Sequence, residues 1–146
     1  ANLDKGFDKH SDKNILFFDD KKESLNFYKQ FVKEQTFNSF FLNDIESIKE
    51  ISKETGIDLI IIEINELDDI KIDCLHYLIK SLFNQPDILI INSINVDENK
   101  INLMSSGVRV LLQKPLTNKK LIQMINQVLE FRVIRNIIKK ELNVIA

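Results

Sequence analysis

From Asn14 onward the chain repeats one pattern: a short apolar run, then a stretch whose apolar positions recur every three or four residues. Ile15-Leu16-Phe17-Phe18 halts at Asp19-Asp20, the signature of a strand buried on both faces. Residues 22–34 then place Leu25, Tyr28, Phe31 and Val32 at helical spacing, and a second strand is predicted over 36–42. Asn43 and Glu46 have the spacing of a helix-capping pair, Ile45, Ile48 and Ile51 supply one helical face, and Gly56 suits a left-handed helix stop. The run Ile57 to Ile64, dense in β-branched residues, is the strongest strand signal in the chain. After a polar stretch comes a helix over 72–83, then Pro86 and a fourth strand over 88–91. Asn95 and Glu98 open a helix ending at Gly107, a fifth strand covers 108–112, and Pro115 and Thr117 introduce a last helix.

Five apolar strands alternating with helices predict an α/β fold: a doubly wound, five-stranded parallel sheet with helices on both faces. Ligands of such sheets bind beyond the carboxyl ends of the strands. Asp19-Asp20 lies at the first of those ends, Glu63 at the third, Asn92-Ser93 at the fourth and Lys114-Pro115 at the fifth. Each alone reads as a polar strand end meeting solvent. Three carboxylates on one rim repel one another unless a cation intervenes, and a hard ion such as Mg²⁺ takes oxygens of this kind. Lys114 would supply a point charge for a phosphoryl oxygen or for Glu63, and Asn92 or Ser93 could hydrogen-bond the same oxygen.

Composition narrows the function. The 146 residues fit one domain: a flexible lead-in over 1–13, a body over 14–130, and an extension over 131–146. Twenty basic against 22 acidic residues leave a net charge of −2, which argues against nucleic-acid binding. No apolar run is long enough to cross a bilayer and the first 13 residues are polar, so we read the chain as cytoplasmic. The single cysteine, Cys74, reads as a small buried hydrophobe, and its spacing from His76 is poor for a shared metal. With three glycines, no phosphate-cradling loop is expected.

The segments ILFFDD, IDLIIIEI and SGVRVLLQKP, with the fourth strand between the last two, resemble the receiver family of two-component response regulators over about residues 14–130. The acid pair and the run from Gly107 to Lys114-Pro115 are the most specific parts. The resemblance implies a flavodoxin-like receiver fold and a cis Lys114–Pro115 bond. It also implies an Mg²⁺ site from Asp19, Asp20 and the Asn65 backbone carbonyl, with Lys114 as the family's lysine. Receivers accept a phosphoryl group from a sensor histidine kinase onto an aspartate ending the third strand. A hydroxyl residue and an aromatic then report the event.

The departures are as informative. Glu63 stands where the family has its acceptor aspartate, Asn92 or Ser93 at the hydroxyl switch, and Leu111 at the aromatic switch. The added methylene of Glu63 pushes its carboxylate towards the phosphoryl position and spoils the in-line geometry of transfer. Glu63 would also offer Lys114 an anion resembling the phosphorylated state. The resemblance with these departures implies a non-enzymatic pseudo-receiver that works through protein contacts with a kinase, an output domain or a second copy. Two alternatives stay open: an active Mg²⁺-dependent phosphoaccepting receiver, and a receiver-like small-molecule sensor. The last helix bears on this choice. Leu121, Ile125, Val128 and Leu129 suffice to cover the sheet, yet Phe131, Ile134, Ile138 and Leu142 extend the apolar pattern. That extension is either a helix folded back on its own domain or a connector that dimerises or docks an output domain.

Overall fold

The computed structural model describes residues 10–19, 22–64, 80–82, 85–92 and 108–145. Its strands are β1 (Asn14–Phe18), β2 (Asn38–Leu42), β3 (Leu59–Ile64), β4 (Asp87–Asn92) and β5 (Val108–Gln113). They form one sheet in the order β2-β1-β3-β4-β5, every pair parallel. This is the flavodoxin-like order, with its switch point between β1 and β3.

Strand alternation divides the core into two layers. Ile15, Phe17, Leu59, Ile61, Leu89, Ile91 and Leu112 face α1 (Lys22–Phe31) and the last helix, which contribute Leu25, Tyr28, Phe31, Leu121, Ile125, Val128 and Leu129. Leu16, Phe18, Ile60, Ile62, Ile88 and Ile90 form the other face with Ile48 of α2 (Ile45–Glu54), Ile57 and Leu82. Apolar contacts on both sides explain why these strands read as continuous apolar runs. The helical signals within residues 65–79 and 93–107 lie outside the described residues, as do Cys74, His76 and the Asn95/Glu98 pair.

Local details differ from the sequence expectations. The helical run over 22–34 is α1 followed by a single 3₁₀ turn over Val32–Glu34. The cap of α2 is Asp44, not Asn43: its extended backbone lets the carboxylate accept from the Glu46 amide at 3.1 Å and the Ser47 hydroxyl at 3.2 Å. Gly56 does not take a left-handed conformation. α2 stops instead at extended Thr55, whose amide donates to the Ile51 carbonyl at 2.8 Å. The Gly56 carbonyl accepts from Asn14 Nδ2. Residues 10–12, within the segment read as a lead-in, form a turn in which His10 is buried.

The last helix, α3, spans Asn118–Ile145 and is capped by Thr117, whose hydroxyl accepts from the Lys120 amide at 3.1 Å. At 28 residues it is about 42 Å long. It is anchored at the amino-terminal edge of the sheet by charges the sequence reading missed. Asp87, opening β4, contacts Arg109 at 2.9 Å and Arg132 at 3.4 Å, and also Arg135. Arg132 further lies 3.5 Å from Asp58 and donates to the Gln85 carbonyl at 3.1 Å. Gln85 has φ of 39°, a left-handed conformation uncommon outside glycine, immediately before Pro86. A bulge supplies Arg109: Ile88 pairs with Val108 but Leu89 with Val110, so Arg109 is the extra residue.

Candidate functional site

The carboxyl ends of β1, β3 and β5 bring Asp19, Glu63 and Lys114 to one rim. Asp19 follows β1 directly, is fully buried, and its amide donates to the Leu42 carbonyl at 3.2 Å. Glu63 is the penultimate residue of β3, opposite Ile91 of β4. It shares strand parity with Leu59 and Ile61, so it points into the layer beneath α1 and α3. Lys114 follows β5 and reaches back across this layer to form a direct ion pair with Glu63 Oε1. The Lys114–Pro115 peptide is cis.

The two partners differ in environment. The Glu63 side chain is 1% exposed and that of Lys114 41% exposed. Glu63 is therefore a desolvated carboxylate held by an ammonium that remains half in water. Its Oε2 is buried and has no hydrogen-bond donor among the described residues. Removing such a carboxylate from water is expensive, and the ion pair is what offsets that cost here.

Tyr28 of α1 completes the enclosure, and sequence reasoning saw it only as a core residue. Its ring stacks on Phe17 at 5.2 Å between centroids and meets exposed Phe27 edge-on at 5.3 Å. Burial, and then the negative charge of Asp19, push its phenol well above the ordinary tyrosine range. With Ser24, Phe27, Glu63, Ile91, Lys114, Pro115 and Leu116, Tyr28 lines an open depression of about 300 Å³. That volume is at the small end for a ligand site.

Leu111 is the described candidate that stands apart from this group. Leu111 is 44% exposed, and adjacent Leu112 points into the α1–α3 layer. Asn92 ends β4, paired with Ile64 and Gln113, so its backbone is at the rim. Asp20, Asn65 and Ser93 lie outside the described residues. In type, two buried carboxylates fit a hard cation, and Asp19 and Glu63 are the described residues that would hold one. Lys114 already occupies one Glu63 oxygen, so an ion would compete with an ammonium. Among the described residues, no group of three or more His, Cys, Asp or Glu side chains gathers as a metal site. None of their helices is long and apolar enough to cross a membrane.

The architecture is that of solved receiver domains. The signal receiver domain of an HD domain-containing protein from Pseudomonas fluorescens Pf-5 superimposes with a TM-score of 0.70 at 18% identity, over 83% of this chain and 97% of that one. A CheY-like response regulator receiver domain protein from Methanospirillum hungatei JF-1 gives 0.67 at 16% identity, over 85% and 98%. The chemotaxis protein CheY4 of Vibrio cholerae gives 0.65 at 16% identity, over 80% and 98%. No protein-family model matches the sequence, and no curated protein matches it. The chain has the receiver fold, at identities where likeness speaks for the fold alone.

Proposed function

We propose that this chain is a receiver-like signalling module of the two-component type, cytoplasmic and not an enzyme, whose acceptor site is closed by its own residues. The observation that carries the reading is the Glu63–Lys114 ion pair. In a working receiver the lysine position is kept for the incoming phosphoryl group, as the family resemblance implies. Here the longer Glu63 side chain reaches Lys114 by itself, so the anion that would report phosphorylation is built into the chain. Such a module has one fixed site state and signals by what it touches: a sensor kinase, an output domain, or a second copy through α3. The exposure of Phe131, Ile134, Ile138 and Leu142 supports α3 as the contact element. Mg²⁺ has at most a weak place beside Asp19 and Glu63.

The test is incubation of the full chain with acetyl phosphate and Mg²⁺, read by intact mass. We expect no phosphoryl adduct under conditions that label an ordinary receiver. An adduct mapped to Glu63 would overturn the closed-site reading and establish a phosphoaccepting receiver.

A further inference from the structure

The two apolar faces of α3 do not coincide. At roughly 100° per residue, Leu121, Ile125, Val128, Leu129 and Arg132 lie on one side, and all are buried. Phe131, Ile134, Ile138 and Leu142 lie on a second line, rotated by roughly 120° from the first. They are 66%, 52%, 51% and 60% exposed. The stripe is thus no continuation of the docked face and cannot reach the sheet by extending its contact. Past Arg135, every described side chain of the helix is exposed. The arginine contacts to Asp87 and Asp58 fix the rotation of α3, so the stripe is held outward.

The charges beside the stripe are sorted by side. Glu130 and Glu141 border it on one flank, Arg135 and Lys139 on the other. When two identical helices pair in parallel about a twofold axis, the left flank of each meets the right flank of its partner. Acid then faces base on both sides of the seam. In an antiparallel pair, acid faces acid and base faces base. Arg135 is already held by Asp87 of its own chain, so Lys139 carries most of the charge on the basic flank. Val133 and Ile137 lie beyond the acidic flank and add apolar surface there.

Resting on the contact-mediated reading above, we infer that a second copy of this chain docks along Phe131, Ile134, Ile138 and Leu142 with the two helices parallel. The seam is three to four turns long, so association is weak and concentration-dependent, as for other small transient interfaces.

Disulfide trapping in the full chain reads both pairing and direction. Cys74 is the single cysteine, so a Cys74→Ser background carries one engineered thiol, Phe131→Cys or Leu142→Cys, at an exposed position. Under mild oxidation each variant alone is expected to give covalent dimer, because each position meets itself. A mixture of the two is expected to give no 131–142 disulfide, since eleven residues span about 16 Å of helix, beyond the reach of a disulfide. Sedimentation of the Glu130→Lys variant supplies an independent sign. Parallel pairing predicts a dissociation constant raised by about fivefold, whereas antiparallel pairing predicts a lower one. Trapping only in the mixture overturns the parallel arrangement and leaves the contact-mediated reading standing. A chain monomeric at every concentration and untrapped in either variant overturns docking of a second copy, while the acetyl phosphate experiment judges the closed site separately.

Discussion

Replacing Lys114 with methionine removes the only charge that the described residues bring against Glu63 while keeping most of the side-chain volume. The carboxylate left behind is 1% exposed, and its Oε2 already lacks a donor among the described residues. Breaking a fully buried pair costs about 3–5 kcal/mol. Lys114 is 41% exposed and its ammonium partly hydrated in the folded chain, which places this case lower, at about 2–3 kcal/mol. With a urea m-value of about 2 kcal/mol/M, the unfolding midpoint should fall by roughly 1 M. The paired control is the double variant Glu63→Gln, Lys114→Met, in which no charge is stranded. It should recover most of the loss and lie within about 1 kcal/mol of the parent. With the Glu63→Gln single variant added, the four chains form a cycle whose coupling energy isolates the pair. A Lys114→Met chain within about 0.5 kcal/mol of the parent, with a native circular dichroism spectrum, would refute the claim that this ion pair offsets the burial of Glu63.

Three further outcomes follow from the same geometry. Tyr28 stays protonated in the folded chain above the ordinary tyrosine value of about 10 because of burial and Asp19. The unfolded chain sheds that proton first, so the contribution is fully present below about pH 10 and is lost as pH rises beyond it. In a Tyr77→Phe background, the phenolate absorbance should therefore appear together with alkaline unfolding; ionisation in a chain still folded would contradict this placement. Asp87→Asn should lower stability by about 2–4 kcal/mol, because it removes the buried carboxylate that Arg109, Arg132 and Arg135 share; an unchanged midpoint in urea would show the cluster to be ornamental. Calorimetric titration with Mg²⁺ should give no tight stoichiometric binding, since Lys114 holds one oxygen of Glu63, and a steep isotherm would speak for an open acidic site.

The strands were legible because the fold buries them on both faces. Ile60, Ile61 and Ile62 alternate between the two layers, and each needs an apolar side chain, so no polar residue interrupts the run. The rim residues were legible for the complementary reason: where a strand leaves the core, polarity returns at once, and Asp19 and Lys114 mark those points. Helix ends were less so. Asn43 and Asp44 are adjacent residues of equal capping chemistry, and only the extended backbone of Asp44 decides between them. Gly56 permits a left-handed stop but does not require one. The chain uses its carbonyl for Asn14 instead.

What the sequence concealed are groups whose meaning depends on partners far along the chain. Asp58 and Asp87 each precede or open an apolar strand, where an acid reads as a solvated end. Arg132 and Arg135 sit three apart on a helix, where arginines read as an exposed face. Parallel winding sets the starts of β3 and β4 side by side and runs α3 down to that edge, and there the four become one cluster with Arg109. The cluster lies at the end of the sheet opposite Glu63 and Lys114, so the two charge groups are separable. On the proposed reading the rim pair closes the acceptor site, whereas the arginine cluster seats α3. A change of acceptor chemistry at residue 63 can therefore leave the seating of α3 intact. That separation is what the proposed closed-site module requires: an altered rim at one end of the sheet and an undisturbed α3 at the other.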